Sequence, residues 1–496
     1  MKNYFLTFIA GLIFPFGFAP FDIWPLTIIS LSIFLYVLER RLSRNSFLLG
    51  FVYGLGLWSL GVSWVYVSIH YHGNQGILSS LLITILFIFF LSLYTGLTSY
   101  LIKKFRTSNK KLNYLIIFPV VWVTVEIIRS HLFTGFPWLI VGTSLAGTSM
   151  GGWIPILGVY GASILAVMIS GSLVLIFGIK KKLDWSPALI TVTILLSSFI
   201  LNKINWTWEI SNIQVSIYQP NLTLKEKWSS KGVRQTMSMI SKSISDAQEG
   251  EFIFFPETAI IFDKEDLHTW ISDIDKEAKA RSISLISGII AKDLQNPGLI
   301  ERYNRIEGFG AVTGHYDKIH LVPFGEYIPL RNYLDKILDI LGINLINTLP
   351  GESYSLLETN NIAISASICY EIAFSDLVRK TARKSNLLVT ISNDTWFGAS
   401  IGPEQHLEIA QSRAQEHQKS LIRATNSGIS AIIDRKGDVL NRQGFFEDKK
   451  IKENVYIYEG NTPFSIVGNF LIYGYILLIY VYLFINKRTN VLFNKK

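Results

Sequence analysis

The sequence predicts a helical membrane domain with several spans, joined to a globular domain of the α/β class, and three observations support this fold class. The chain of 496 residues is 49% hydrophobic and has a mean hydropathy of +0.34, which is high for a soluble domain. Uncharged apolar runs follow one another up to residue 202. Residues 203–462 instead alternate short β-branched segments with amphipathic ones.

The apolar runs define the domain boundaries, because each has roughly the length of a membrane span. They cover 4–20, 24–38, 47–69, 77–102, 112–128, 154–179, 185–202 and 464–486. We therefore expect a membrane domain over 1–202 with seven transmembrane helices, a globular domain over 203–462, and an eighth transmembrane helix with a short tail over 463–496. The first run lacks a small-residue cleavage site after it, so we expect it to be retained.

Basic residues between the runs predict the orientation, since Lys and Arg accumulate on the cytoplasmic side of a membrane. They cluster after the second, fourth, sixth and eighth runs: Arg40, Arg41, Arg44, Lys103, Lys104, Arg106, Lys110, Lys111, Lys180, Lys181, Lys182, Lys487, Arg488, Lys495 and Lys496. The loops APFDI and HYHGNQG contain none. Both termini are therefore expected in the cytoplasm and the globular domain outside it. The net charge of +9 follows from this distribution and does not indicate nucleic-acid binding.

Strand-like and helix-like segments alternate in the globular domain, which predicts layers of helices on mostly buried strands. The predicted strands are 212–218, 252–255, 283–290, 361–368, 387–392 and 428–434, and a hairpin is expected within 303–329. The predicted helices are 231–247, 264–282, 372–384 and 404–424. Residues 328–346 are expected to form an amphipathic helix that packs on its own domain or on the membrane.

Three chemically active residues stand at the ends of predicted strands: Glu257, Lys318 and Cys369, which is the single cysteine. Side chains at such positions converge in α/β proteins. A carboxylate or a helix N-terminus would activate the thiol, and a lysine would stabilise a tetrahedral oxyanion, so the three together predict acyl transfer. Taken singly, Cys369 also fits a core position, Glu257 a helix cap and Lys318 an exposed strand edge.

The sequence motifs around these residues resemble those of the apolipoprotein N-acyltransferases, the membrane-embedded bacterial branch of the nitrilase superfamily. They are FFPETA, YNR, YDKIHLVPFGEYIPL, CYE, SNDTWFG, GPEQHL and RATNSG, and PFDIWPL and LFTGFPWLIVGTS match in the membrane part. The resemblance covers nearly the whole chain. It implies that 203–462 is a periplasmic nitrilase-like domain with an α-β-β-α sandwich, held in the bacterial inner membrane.

The resemblance also implies roles for individual residues. Glu257 would be the general base, Lys318 the oxyanion stabiliser and Cys369 the nucleophile. Supporting residues are implied at Glu326, Tyr370 and Glu371, and substrate-binding residues at Trp228, Asn304, Pro329, Trp396 and Phe397.

The reaction that the resemblance implies is a two-step acyl transfer. Cys369 would take a fatty acyl chain from a phospholipid, typically phosphatidylethanolamine, and the thioester would pass it to the N-terminal amine of a diacylglyceryl-cysteine on an apolipoprotein. Cofactors are not required, and a metal site is not expected because His315 and His320 lie five residues apart on a predicted hairpin. The expected partners are these two substrates and the lipid bilayer, and a monomer is expected.

Two charges at membrane depth, Glu126 and Arg129, are expected either to bind a phospholipid head group or to pair with each other. Two other functions remain open from the sequence. A membrane-anchored amidase with the same three residues would release a free acid, and a transporter or receptor would only bind its ligand in the outer domain.

Overall fold

The computed structural model describes residues 2–40, 45–73, 75–178, 184–263, 266–292, 302–327 and 348–493. The described helices are α1 Lys2–Ile13, α2 Trp24–Arg40, α3 Ser46–Gly61, α4 Trp64–Val67, α5 Ile77–Phe105, α6 Lys110–Leu112, α7 Phe118–His131, α8 Ile154–Leu173, α9 Ser186–Leu201, α10 Leu224–Lys227, α11 Ser230–Asp246, α12 His268–Ala280, α13 Ser375–Ala382, α14 Gly402–His417, α15 Pro463–Val467 and α16 Phe470–Phe493. The described strands are β1 Thr207–Gln219, β2 Phe252–Phe254, β3 Ser284–Lys292, β4 Arg302–Gly310, β5 His315–Asp317, β6 Thr348–Leu349, β7 Leu356–Glu358, β8 Ala363–Ile368, β9 Leu387–Ser392, β10 Leu421–Thr425, β11 Ala431–Ile433, β12 Val439–Arg442 and β13 Lys449–Gly460.

The chain forms two compact units. The first, the helical unit, comprises Met1–Trp206, Phe397–Glu416 and Thr462–Lys496. The second, the sheet unit, comprises Thr207–Trp396 and His417–Asn461.

In the helical unit, three of the described helices are long and apolar enough to cross a membrane: Ile77–Phe105, Lys110–Thr134 and Gly151–Gly178. Ser46–Gly61 and Trp64–His72 meet at a bend of 53° and add a fourth span if the bent pair crosses as one. Ser186–Leu201 and Phe470–Asn486 are apolar but shorter. The chain is thus a membrane protein, and the count of eight spans stays a prediction.

Glycines let the helices of this unit approach closely. A Cβ atom on Gly50 of α3 would lie 2.2 Å from the Thr95 carbonyl oxygen of α5, and one on Gly56 would lie 2.2 Å from the Phe8 carbonyl oxygen of α1. Contacts of this kind stabilise helix pairs in lipid, where burial of apolar side chains gives little net driving force.

The sheet unit contains two sheets. The strand order is β13-β1-β2-β3-β4-β5 in one sheet, with β6 beside β4, and β12-β11-β10-β9-β8-β7 in the other. The central pairs β1–β2, β2–β3, β8–β9 and β9–β10 are parallel.

Alternation along the strands explains the layers. Phe254 of β2 packs in the core between the sheets, together with Ile368 and Val389 of the second sheet. Its neighbour Ile253 points to the opposite face and packs with Ile244 of α11 and other helical residues. Helix α13 covers the second sheet, where Thr381 and Ser365 of β8 share a hydrogen bond of 2.6 Å. The result is the predicted nitrilase-like sandwich of helix, sheet, sheet and helix.

Most predicted segments of the sheet unit coincide with observed elements, including the hairpin of β4 and β5. The prediction of one helix over 404–424 is wrong at its end. Helix α14 stops at His417, Gln418 adopts a φ of +46°, and Leu421–Thr425 forms the buried strand β10. Apolar residues in this short segment fit a buried strand as well as a helix.

Candidate active site

Glu257 begins a tight turn that is separated from the end of β2 by Phe255 and Pro256. The turn crosses Gly288 of β3, where a Cβ atom would lie 2.4 Å from the Thr258 amide nitrogen and 2.8 Å from Glu257 Cα. Only glycine leaves this space, and Thr258 adopts a φ of +49° to complete the turn. Thr258 therefore adopts an unfavourable backbone conformation, and this conformation projects Glu257 from the strand end.

The carboxylate of Glu257 is buried and held on both oxygens. Asn304 Nδ2 donates to Oε1 at 2.7 Å, and the Asn393 main-chain N–H donates to Oε2 at 2.7 Å. Asn304 comes from β4 and Asn393 follows β9, so one strand of each sheet fixes the same carboxylate. Such a group can accept a proton without moving.

Lys318 follows β5 and is 1% exposed. Its Nζ lies 2.8 Å from the Glu326 carboxylate and 3.7 Å from Glu257 Oε1. Burial would lower the pKa of Lys318, but Glu326 and then Glu257 raise it above its ordinary value. The side chain is therefore a fixed ammonium ion between two carboxylates, and Asn304 Nδ2 also reaches Glu326 Oε1 at 3.2 Å.

Cys369 directly follows β8, adopts a φ of +53° and begins a 3-10 helix, Cys369–Ala373. Its side chain is partly buried and hydrogen-bonds to Ser392. Burial raises the pKa of the Cys369 thiol to about 12, the charge of Glu257 adds to this rise, and Lys318 opposes it. Stabilisation of a thiolate by the N-terminus of the 3-10 helix stays a prediction. The resting group is a thiol that needs a base.

Glu371 connects the nucleophile turn to the lysine loop. Its Oε1 accepts hydrogen bonds from Tyr316 OH and from the main-chain N–H groups of Ile319 and His320, while Oε2 accepts from the N–H of Ile368. Burial raises the pKa of Glu371 to about 7, although the main-chain donors oppose the rise. This buried carboxyl group fixes Cys369 relative to the segment that carries Lys318.

The sequence predictions missed the residues behind the thiol. Ser392 donates to Asp394 Oδ1 at 2.5 Å, and Asp394 Oδ2 accepts from Arg423 of β10 at 2.5 Å. Ser392 and Asp394 belong to the SNDTWFG motif at the end of a predicted strand, and this position could have indicated them. Arg423 is the first residue of the RATNSG motif, which gave the same kind of signal, but it lies inside the buried strand β10 rather than at a strand end.

The remaining predicted site residues are spread more widely. Tyr370 packs edge-on to Phe374, with ring centroids 5.1 Å apart. Trp228 and Trp396 are 52% and 43% exposed. Phe397 belongs to the helical unit, where its ring lies 4.8 Å from that of Trp64. Pro329 and the amphipathic segment 328–346 lie outside the described residues.

Glu126 and Arg129 are both buried in the helical unit. Glu126 Oε1 accepts from Trp122 Nε1 at 3.0 Å and from the Val141 N–H at 2.9 Å. Arg129 donates to the carbonyl oxygens of Phe136 and Trp138, both at 2.6 Å. These contacts anchor residues 136–141, and head-group binding by either charge stays a prediction.

Glu257, Lys318 and Cys369 thus place a carboxylate, an ammonium ion and a thiol close enough to interact electrostatically in the sheet unit, which suits acyl transfer through a thioester. Across the described ranges, no group of three or more His, Cys, Asp or Glu side chains is arranged to hold a metal ion.

Comparisons with known proteins identify the family. Residues 10–172 match the model of the apolipoprotein N-acyltransferase N-terminal domain, and 214–456 match that of the carbon-nitrogen hydrolases. The apolipoprotein N-acyltransferase of Photobacterium profundum is 32% identical over 94% of this chain and 92% of its own length. That of Methylococcus capsulatus is 31% identical over 99% and 97%.

The chain belongs to the apolipoprotein N-acyltransferase family. It is therefore an acyltransferase whose C-terminal half has the carbon-nitrogen hydrolase fold. A solved nitrilase-superfamily structure, Nit3 of Saccharomyces cerevisiae, covers 51% of this chain and 92% of its own length at 17% identity, but its TM-score of 0.38 is too low to add to this assignment.

Proposed function

We propose that this acyltransferase moves a fatty acyl chain from a phospholipid to the N-terminal amine of a diacylglyceryl-cysteine on an apolipoprotein. Family membership supports the lipid donor and the lipoprotein acceptor, and the grouping of Glu257, Lys318 and Cys369 supports the chemistry. The basic loops support a location in the bacterial inner membrane with cytoplasmic termini and a periplasmic sheet unit. Phosphatidylethanolamine is the proposed donor, and the active species is proposed to be a monomer.

In the first step, Glu257 takes the thiol proton while Cys369 Sγ attacks the carbonyl carbon of the lipid ester. The oxygen of the tetrahedral intermediate becomes negative, and the fixed ammonium ion of Lys318 stabilises it. Collapse breaks the bond to the glycerol oxygen, which receives the proton from Glu257. The products are a thioester on Cys369 and a lysophospholipid.

In the second step, the acceptor amine attacks the thioester carbonyl carbon and Glu257 takes a proton from the amine. The second tetrahedral intermediate expels Cys369 Sγ, which regains a proton from Glu257. The acyl chain leaves in an amide bond, and the free thiol is restored. Both steps use one site, so donor and acceptor react in turn.

Intact mass measurement tests the first step directly, because Cys369 is the only cysteine. We expect purified protein mixed with phosphatidylethanolamine vesicles to gain one fatty acyl mass, and Cys369→Ala to gain none. A wild-type protein that gains no acyl mass would rule out the thioester mechanism.

A diacylated lipopeptide tests the second step. With a free N-terminal amine, it should remove the acyl mass from the protein and gain an amide-linked chain. The same lipopeptide with an acetylated N-terminus is the matched control and should leave the acyl-enzyme intact. Release of free fatty acid without amide formation would instead support the hydrolase alternative.

A further inference from the structure

Lys227 is a buried lysine beside Glu257, and the proposed mechanism gives this lysine no role. It is 5% exposed. Its Nζ donates to the main-chain oxygen of Glu257 at 2.8 Å and to Thr258 Oγ1 at 2.5 Å. Both acceptors are neutral, so neither supplies a negative charge to the buried ammonium ion. Its hydrogen bonds therefore form against a desolvation cost of several kcal/mol.

The charge of Glu257 offsets part of this cost. Burial lowers the pKa of Lys227 to about 8, and the negative charge of Glu257 opposes the fall. Lys227 is thus electrostatically coupled to the proposed base as well as hydrogen-bonded to its main chain.

The turn that carries Lys227 is held by hydrogen bonds at its start and around α10, so the contact can transmit position. Thr223 and Glu226 form a capping box at the start of α10, with the Glu226 carboxylate accepting from the Thr223 N–H at 3.0 Å. Asn426 holds the start of the turn through its Nδ2, which donates to the Leu222 carbonyl oxygen at 2.7 Å. Trp228, half exposed, directly follows the tethering lysine.

We propose that Lys227 is a positioning residue that fixes Glu257 through its main chain and fixes the Trp228 turn, residues 220–229, to the same point. The inference rests on the proposed function, because the step that Lys227 serves is the acylation of Cys369. A displacement of the base by about 1 Å can slow such a step by about 100-fold.

Single-turnover acylation of Cys369, followed by intact mass, separates positioning from folding. Lys227→Met keeps the length of the side chain and removes its charge and donors. We expect the rate constant to fall at least about 10-fold while the final acylated fraction stays near that of the wild type. A purely structural role would lower the acylated fraction and leave the rate constant of the folded molecules unchanged, and a rate constant within about two-fold of the wild type would overturn the proposal.

Lys225→Met is the matched control, because Lys225 lies on the same short helix and is exposed. It should leave the rate constant unchanged.

If Lys227→Met does not fold, Thr258→Val tests the proposal instead, since it removes one acceptor of Lys227 and keeps a β-branched side chain at the strained position. We expect Thr258→Val to slow acylation by about three-fold or more, and an unchanged rate constant would overturn the proposal.

Hydrogen exchange distinguishes a failure of this inference from a failure of the proposed function. Lys227→Met should raise amide exchange in 220–229, and Lys225→Met should not. If the wild type takes no acyl chain from phospholipid, the proposed function fails. The hydrogen-exchange comparison then tests only whether Lys227 fixes the turn 220–229, and unchanged exchange would refute that.

Discussion

At the scale of single residues, Glu257 acts on the Cys369 thiol in two opposite ways. Its negative charge, after burial, raises the pKa of the thiol to about 12. Its carboxylate is also the proposed general base that removes the thiol proton during attack. At neutral pH such a thiol is protonated and weakly reactive, which limits its oxidation at rest.

Glu257→Gln separates these two effects. We expect acylation of Cys369 by phospholipid to slow by about 100-fold or more, because the base is lost. We also expect the pKa of the thiol to fall, because the negative charge is gone. The pH dependence of iodoacetamide alkylation, read by intact mass, measures the second effect.

The control for this variant is Glu249→Gln, which changes an exposed carboxylate in the same unit. It should alter neither the acylation rate nor the alkylation profile. A thiol pKa that stays the same or rises in Glu257→Gln would contradict the electrostatic part of the account.

At the scale of elements, Glu371 joins the end of β8 to the loop after β5. The pKa of its carboxyl group is raised from 4.5 to about 7, so the folded state binds a proton that the unfolded state has lost between these values. The stabilising effect is complete below the unfolded pKa and disappears as the pH rises through the folded one. It amounts to about 3 kcal/mol at most.

The prediction is a pH-dependent difference in thermal unfolding between the wild type and Glu371→Gln. In detergent, the midpoint of the wild type should fall more than that of the variant between about pH 5 and pH 8. Glu358→Gln on β7, where the side chain is exposed, should behave as the wild type does. A fall in the wild type that does not exceed the fall in Glu371→Gln would mean that the four hydrogen-bond donors outweigh burial and keep the carboxylate charged.

At the scale of the whole molecule, the sequence was most informative where one pattern repeats over many residues. The uncharged, mostly apolar run 77–102 predicts the helix Ile77–Phe105, and short β-branched segments bounded by turn residues predict β8 and β9. Strand β13, Lys449–Gly460, was missed because charged residues interrupt its alternation, although Val455 and Ile457 point into the core. Its pairing with β1 is a long-range contact that no local pattern encodes.

The candidate site likewise contains residues that the sequence predicts and contacts that it does not. Glu257, Lys318 and Cys369 were predictable because a reactive residue type stands at each strand end. The contacts that fix them were not, because they are made by main-chain groups or by buried polar side chains. Lys227 is an example, since nothing local distinguishes it from the exposed Lys225 two residues earlier.

The orientation in the membrane is predicted from charge alone, and the single cysteine of the chain allows a labelling test of it. Cys369→Ala removes the single cysteine and gives a background free of thiols. In this background, Ser245→Cys places a thiol on the exposed face of α11, and Asn109→Cys places one in the basic loop before α6; both positions are exposed. Because Lys and Arg are retained on the cytoplasmic side, a membrane-impermeant maleimide added to spheroplasts should label Ser245→Cys only. Both should be labelled after the membrane is opened with detergent, and labelling of Asn109→Cys in intact spheroplasts would reverse the proposed topology and place the thioester chemistry in the cytoplasm.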